Sequence, residues 1–229
     1  MTFAKRLIVI LIVCAVIAVA LAAGLSGLAR ATVAGAPPST APSAEPGAGP
    51  IVAAGHGWTD KGLDGPMPAP GSCHLRWTPT HEPLPDSACT PGAIDAAVTQ
   101  DNLGSTVCRS GGYTSSVRPP AGITDRAKTQ IMAAYGIPAS DASKYELDHL
   151  VPLADGGASD VRNLWPEPNI FASEQHSKSA FVHNDKDQVE QDAFAALCAG
   201  KATLDGVQKT MANDWTAGRY AAGTGGDGN

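Results

Sequence analysis

Apolar residues recur at helical spacing in two separate parts of the chain. Over 124–135 this pattern predicts a helix whose first residue, a threonine, caps it and which Gly136 ends. A second helix is predicted over 186–199, or from as early as His183. A third helix, again with a threonine cap, is predicted over 203–215.

Between these helices, the stretch Tyr145–Pro168 predicts a strand, a turn and a returning segment. The strand covers 145–153. Asp-Gly-Gly at 155–157 then predicts a turn, because glycine adopts backbone angles that other residues resist. The chain returns through 162–165, so the sequence predicts a hairpin between the helices.

The pattern before residue 120 is weaker, since Pro and Gly are frequent there. Thr-Pro-Gly at 90–92 resembles a helix start, with a threonine cap and proline in the first turn, and predicts a helix to about Asn102. Short extended pieces are expected at 107–108 and over 113–117. One strand is expected at 74–77.

Residues 1–30 form a targeting element. Lys5 and Arg6 precede an uncharged run over 7–29, which reaches the length of about 20 residues needed to span a bilayer. The charges favour an uncleaved membrane anchor, but small residues over 31–36 also allow cleavage of a signal peptide. In both cases we expect the rest of the chain to be exported, either anchored outside the membrane or secreted.

Composition divides the exported part into four segments. Residues 31–55 are rich in Pro, Ala, Gly and Ser, which predicts a disordered tether. An irregular, cysteine-containing lead-in covers 56–119, and the predicted helices and hairpin lie in a domain over 120–217. The Gly-rich tail, 218–229, is expected to be disordered.

Four cysteines follow the export segment, and export predicts an oxidising environment for them. They form no Cys-x-x-Cys pair, so two disulfides are favoured over a zinc site. Four cysteines allow three connectivities, which the sequence does not distinguish. We expect Cys73–Cys89 as a local loop and Cys108–Cys198 as a long-range bond.

The charge balance does not favour a nucleic-acid partner. The chain has 229 residues and a formal net charge of -6, and acidic residues outnumber basic ones from residue 120 onwards. Affinity for nucleic acid usually depends on neutralising phosphates. Any such binding should therefore be weak and sensitive to salt, with Arg109, Arg118 and Arg162 as candidate phosphate contacts.

Asp148 and His149 are adjacent in the predicted strand, and together they suit phosphodiester hydrolysis. A carboxylate is a hard oxygen ligand for a divalent cation, which stabilises charge on the phosphate. A neutral imidazole can act as general base on water. Neighbouring side chains of a flat strand point to opposite faces, so the strand must bend or end here for both to serve one site.

Five further residues could support this pair. Asn163 could bond across the turn to backbone near His149. Glu146 shares the strand face of Asp148, two residues away. The start of the helix after the hairpin offers His183 and Asn184 as ligands. Lys186 could contact phosphate, or simply pair with an acidic neighbour on a solvated helix face.

These motifs resemble the HNH family of nucleases, which have the ββα-metal fold, and more narrowly a group of exported bacterial HNH-type proteins. The resemblance covers about residues 88–216. The matching stretches are Ala88–Ile94, Val117–Pro120, Tyr145–Leu153, Gly156-Gly157, Asn163–Pro168, His183–Lys186, Lys186-Asp187 with Glu190, and Leu197–Gly200.

The resemblance implies a role for each residue of the motif. His149 is the general base, Asp148 is a metal ligand, and Asn163 takes the structural asparagine position. The third family position falls on His183 if His-x-x-Lys sets the register, or on Asn184 if the register shifts by one. We expect one divalent ion, with Mg²⁺ favoured over Mn²⁺ or Zn²⁺.

The implied fold class is α+β, with a ββα-metal hairpin-plus-helix core, flanking helices and disulfides. Many members of the family carry two Cys-x-x-Cys pairs that bind a structural zinc ion, and this chain has none. The expected function is a metal-dependent endonuclease acting on DNA, with RNA as a second candidate substrate and no protein partner implied. The alternatives are a non-catalytic, envelope-associated binding module and a hydrolase of non-nucleic phosphodiesters.

Overall fold

Residues 50–169 and 184–218 are described by a computed structural model of the chain. The predicted export segment, most of the predicted tether, the candidate ligand His183 and nearly all of the tail lie outside these residues. Within the described ranges, no helix is both long and apolar enough to cross a bilayer. All described residues belong to one unit, Ala44–Asn229.

Short strands pair two by two in the described part of the chain. The strands are β1 (Val52–Ala54), β2 (Trp58–Thr59), β3 (Gly62–Leu63), β4 (Arg76–Trp77), β5 (Pro83–Leu84), β6 (Ala93–Asp95), β7 (Tyr145–His149) and β8 (Leu164–Pro168). β1 pairs with β6 in parallel, whereas β2–β3, β4–β5 and β7–β8 are antiparallel. The register of the longest pair places Asp148 opposite Trp165 and His149 opposite Leu164.

The described helices follow the order α1 (Tyr113–Val117), α2 (Ala121–Ala134), α3 (Asp185–Cys198) and α4 (Leu204–Asp214). Short 3-10 helices occur at Gln100–Ser105, Ala139–Lys144, Leu153–Asp155, Val161–Asn163 and Trp215–Ala217. The protein is therefore a mixed α and β structure with small sheets. Within it, the β7–β8 hairpin is followed along the chain by α3.

The segment that leaves β7 reaches into three different apolar clusters. Leu150 packs with residues of α2 and β8, and Val151 packs with residues of α3 and α4. Leu153 packs with residues of the 3-10 helix Gln100–Ser105, of α1 and of the end of α3. Each of these side chains is at most 3 % exposed. Burial of three nearby residues in three clusters fixes the position of the strand end that precedes them.

Both expected disulfides are present, Cys73–Cys89 and Cys108–Cys198. Cys73 is fully buried in the same cluster as Trp165, so the first bond, which lies within the lead-in, packs against the hairpin core. The second joins residues 90 positions apart and connects the segment before α1 to the last residue of α3. A cross-link between such distant residues restricts the unfolded chain strongly.

The predicted helix over 90–102 is wrong. β6 occupies its middle, and a 3-10 helix begins only at Gln100. Thr90 is 1 % exposed, and its hydroxyl lies 2.9 Å from the phenol oxygen of Tyr135. The main-chain N–H of Ala93, the first residue of β6, donates to Oδ1 of Asn163. Tertiary hydrogen bonds therefore use the groups that would have started a helix.

The extended pieces predicted over 113–117 are also wrong, because this segment is α1. Gly112 precedes the helix in the left-handed conformation, with φ of 74°. Tyr113 and Val117, four positions apart, are both buried. Side chains at this spacing share one helix face, and that face packs in the cluster around Leu153.

The three longer helices confirm the sequence pattern, with shifted ends. α2 begins at Ala121, three positions before the expected threonine, and has Pro120 as its cap residue; Gly136 follows its end with φ of 67°. Thr203 caps α4 by accepting a hydrogen bond from the N–H of Gly206. The strand predicted over 145–153 ends earlier, at His149.

Candidate active site

The end of β7 opens into a cleft of about 230 Å³. The ionisable side chains that line it are Arg118, Glu146, Asp148, His149, Asp187 and Glu190. They belong to β7, to α3 and to the residue that follows α1. A larger hollow of about 290 Å³ beside Lys61 and Arg126 has no carboxylate or imidazole in its lining. The chemistry therefore favours the cleft at β7.

His149 is the last residue of β7 and is 8 % exposed. Its Nε2 lies 2.9 Å from Oγ of the fully buried Ser159. Burial lowers the pKa of the imidazole to about 4, although Asp148 opposes this effect, and the charges of Arg118 and Lys186 lower the pKa further. The ring is therefore neutral at pH 7, the state that a general base requires.

Lys186 is only 1 % exposed and has three acceptors around its ammonium group. Nζ lies 2.8 Å from Oδ2 of Asp148 and donates to the main-chain oxygen of His149 at 3.0 Å and to the carboxylate of Glu190. Burial disfavours the charge, but Asp148, Glu190 and Glu167 more than offset burial and raise the pKa of Lys186 above its ordinary value. The charged ammonium therefore joins α3 to the end of β7.

Two groups hold the carboxylate of Asp148 through a single oxygen. Nε1 of Trp165 donates to Oδ2 at 2.8 Å, and the ammonium of Lys186 contacts the same oxygen. Among the described residues, Oδ1 has no hydrogen-bond partner. This second oxygen is therefore the one that could bind a cation.

The side chain of Asn163 organises the backbone behind the site. Oδ1 accepts from the N–H groups of Ala93 at 3.2 Å and Val151 at 2.9 Å. Nδ2 donates to the carbonyl oxygens of Val151 and Ala158, both at 2.9 Å. These four bonds satisfy the fully buried amide and go to backbone near His149, not to its ring.

Asn184 precedes α3 and is 6 % exposed. Its Nδ2 donates to the carboxylate of Glu146, and its main-chain N–H donates to Oδ2 of Asp187 at 2.9 Å. Burial raises the pKa of Glu146 to about 7, and repulsion from Asp148 and Asp187 adds to this shift. Oδ1 of Asn184 is buried and has no hydrogen-bond partner in the described ranges.

Asp148 and Asn184 are the two candidate oxygen ligands for a divalent cation. Asp148 lines the cleft, whereas Asn184 lines a second hollow beside Glu167 and contacts the cleft through its hydrogen bond to Glu146. In each, Oδ1 is an acceptor without a partner among the described residues. Mg²⁺ commonly binds through one or two protein oxygens and keeps several waters. Across 50–169 and 184–218, no three His, Cys, Asp or Glu side chains form a metal-binding group. A cation here would therefore depend on these two oxygens, water and substrate, while His183 lies outside the described residues.

The three candidate phosphate-contacting arginines lie in different surroundings. The guanidinium of Arg162 is held by the buried Asp160, at 2.8 and 2.6 Å. Arg109 lies over the ring of Tyr113, 5.5 Å from its centroid. Arg118 is exposed and lines the cleft. Of these three, the structure brings only Arg118 to the cleft.

Two buried polar residues near the cleft carried no signal in the sequence. Ser159 follows Gly-Gly-Ala and resembles an ordinary turn residue, and Asp155 belongs to the predicted turn itself. Asp155 is fully buried, and neither of its carboxyl oxygens has a partner among the described residues. Burial raises its pKa to about 8, with Glu190 adding to the shift and Lys186 opposing it.

Comparison with known proteins finds no relative: no protein-family model, curated protein or solved structure matches the chain. Any assignment of function therefore depends on the residues of the cleft themselves.

We expect Asp155 to make the stability of the protein fall as pH rises. Its pKa is raised from 3.8 to about 8 on folding, so the folded protein holds this proton more tightly than the unfolded chain. The resulting stabilisation is complete below about pH 4, falls as the unfolded chain ionises, and is lost by about pH 8. Asp155→Asn cannot ionise. The unfolding free energy of this variant relative to the parent should therefore increase by about 1.4 kcal/mol per pH unit across this window. Urea denaturation at several pH values measures the difference.

The matched control for this experiment is Asp205→Asn, since the side chain of Asp205 is 74 % exposed. It should show no such slope. A difference between Asp155→Asn and the parent that is constant from pH 4 to pH 8 would contradict the assignment.

Removing the ammonium of Lys186 should destabilise the protein strongly. Lys186→Met leaves the partly buried carboxylates of Asp148 and Glu190 without their counter-charge, which costs up to about 3–5 kcal/mol. Lys209→Met is the matched control, because Lys209 also pairs with an acidic residue four positions away but is exposed. Its cost should be below about 1 kcal/mol. If denaturant unfolding shows the same loss of unfolding free energy for Lys186→Met and Lys209→Met, Lys186 is not an essential buried charge.

Proposed function

We propose that this protein is an exported, metal-dependent endonuclease of the HNH type, which hydrolyses phosphodiester bonds in DNA or RNA. One observation carries the proposal: the β7–β8 hairpin and α3 bring the neutral imidazole of His149 and the carboxylate of Asp148 into one cleft. The order of a hairpin followed by a helix agrees with the ββα core that the sequence resemblance implies.

In this proposal His149 accepts a proton from the water that attacks phosphorus. Asp148, with Asn184 as the second candidate ligand, would hold the divalent cation, which would supply Lewis-acid stabilisation of the phosphate and the leaving oxygen. Trp165 and Lys186 fix the carboxylate of Asp148 through Oδ2. Asn163 keeps the backbone beyond His149 in place, so that the base does not have to reorganise during the reaction.

Substrate binding in this proposal involves Arg118. It is the cationic side chain that is both exposed and in the lining of the cleft, where it faces four carboxylates. A single arginine can position one phosphate. The acidic balance of the chain still predicts weak binding with marked salt sensitivity.

Export is part of the proposal. The two disulfides suit an oxidising compartment and are rare in cytosolic proteins. The apolar run over 7–29 would direct the chain across the membrane and, if uncleaved, hold it there. The nuclease would then act on nucleic acid outside the cell membrane.

The alternative is a non-catalytic envelope-associated module that keeps the same scaffold. Two observations favour it: the acidic charge balance, and the lack of a three-ligand group within the described residues. Calorimetry separates the two functions. Heat of Mg²⁺ or Mn²⁺ binding that Asp148→Asn abolishes supports the nuclease, whereas no binding at millimolar metal supports the module.

We expect the purified protein to nick plasmid DNA or to degrade RNA with Mg²⁺ or Mn²⁺, and to stop when a chelator is added. His149→Ala should lower the rate by about 10²–10⁴-fold, because general-base catalysis contributes an effect of this size. Gel electrophoresis of plasmid and RNA over time measures the rate.

His74→Ala is the matched control, since His74 is exposed and lies outside the lining of the cleft. This variant should cut like the parent. If His149→Ala also cuts like the parent, His149 is not the base. Metal binding without cleavage of either nucleic acid would point to a different phosphodiester substrate.

Substitution of Arg118 should weaken nucleic-acid binding without changing the fold. Arg118→Gln removes one phosphate contact, so the slope of log K against log salt should fall by about 1 for duplex DNA. Arg126→Gln is the control, because Arg126 is exposed but lies beside the other hollow. Fluorescence anisotropy at several salt concentrations measures both slopes. Equal slopes for Arg118→Gln and the parent would remove Arg118 from the binding surface.

A further inference from the structure

We infer that Ser159 is a positioning residue that engages Nε2 of His149 and leaves Nδ1 as the ring nitrogen that acts as the base. This inference depends on the proposed nuclease function. The Oγ of Ser159 lies 2.9 Å from Nε2 of His149, and both residues are buried. A neutral imidazole has one nitrogen that donates and one that accepts. A serine hydroxyl can donate or accept, so the contact allows both tautomers; for Nδ1 to take the proton from water, Nε2–H must donate to Oγ of Ser159.

The position of Ser159 is fixed by backbone contacts on both sides. Its main-chain N–H donates to the carbonyl oxygen of His56 at 2.9 Å. The preceding residue, Ala158, donates to Ala93 and accepts from Nδ2 of Asn163. The hydroxyl therefore occupies one place before substrate arrives, as a preorganised partner must.

A glycine makes this arrangement possible. Gly57 has φ of 85°, and a Cβ at this position would lie 2.8 Å from the main-chain nitrogen of Ser159 and 2.4 Å from that of Asp160. The backbone near His56 can thus approach Ser159 only because position 57 has no side chain. The chain before β2 consequently supports the ring of His149 through Ser159.

The serine also suits the charged intermediate. When Nδ1 has accepted a proton, both ring nitrogens of the imidazolium are donors. The hydroxyl of Ser159 can accept from Nε2–H in this state, so the proton moves from water to Nδ1 and no other bond forms or breaks at the ring. Partners of this kind typically contribute 10–100-fold to the function of the residue they orient.

The test combines spectroscopy with kinetics. ¹⁵N NMR of the metal-free protein at neutral pH should show His149 with Nε2 protonated and Nδ1 bare; the opposite tautomer overturns the inference. Ser159→Ala should lower kcat by about 10–100-fold with KM unchanged, and Ser159→Thr, which keeps a hydroxyl, should restore part of this loss. An unchanged kcat in Ser159→Ala would also contradict the inference.

The NMR result is independent of the proposed function. If no nucleic acid is cut by the parent, the nuclease proposal fails, while the tautomer of His149 still shows whether Nδ1 is the nitrogen left bare beside Ser159. If the parent cuts but its Nδ1 is protonated in the neutral ring, only the role of Ser159 is lost. Circular dichroism shows whether Ser159→Ala has a fold defect. If it has, the ¹⁵N NMR spectrum of the parent alone tests the inference.

Discussion

The buried ammonium of Lys186 joins the two halves of the candidate site. An unpaired charge at 1 % exposure would be very costly, so its environment must provide acceptors. Asp148, Glu190 and the carbonyl oxygen of His149 do so, and they come from β7 and α3. The same contacts that compensate the lysine therefore bring the strand end and the helix into the geometry that forms the cleft.

Around this ion cluster, the rest of the fold removes conformational freedom from the strand end. Asn163 uses all four hydrogen-bonding capacities of its amide on backbone of neighbouring segments. The residues after His149 are buried in three apolar clusters, and the disulfide Cys108–Cys198 fixes the far end of α3. A base and a carboxylate held in this way need little reorganisation, which is the main requirement of a hydrolytic site.

The sequence predicts the parts of this structure that depend on local signals. The longer helices and the Gly156 turn follow from spacing, caps and glycine positions, whereas the observed cystine pairing is one of three that the sequence allowed. The helix predicted at Thr90 failed because its hydroxyl and the nearby backbone bond to residues far along the chain. The burial of Lys186 was not predictable either, since a lysine four residues before a glutamate is equally typical of a solvated helix. Ser159 gains its role only from long-range packing against His149.

Charge is the physical factor that divides the two candidate functions. The cleft holds four carboxylates against the cations of Lys186 and Arg118, so its own charge repels nucleic acid unless a divalent cation binds. Anomalous diffraction from crystals soaked in Mn²⁺ shows directly whether a divalent cation binds in the cleft. The proposed function predicts a manganese peak in the cleft, in contact with Oδ1 of Asp148. A saturating soak with no peak in the cleft would contradict it.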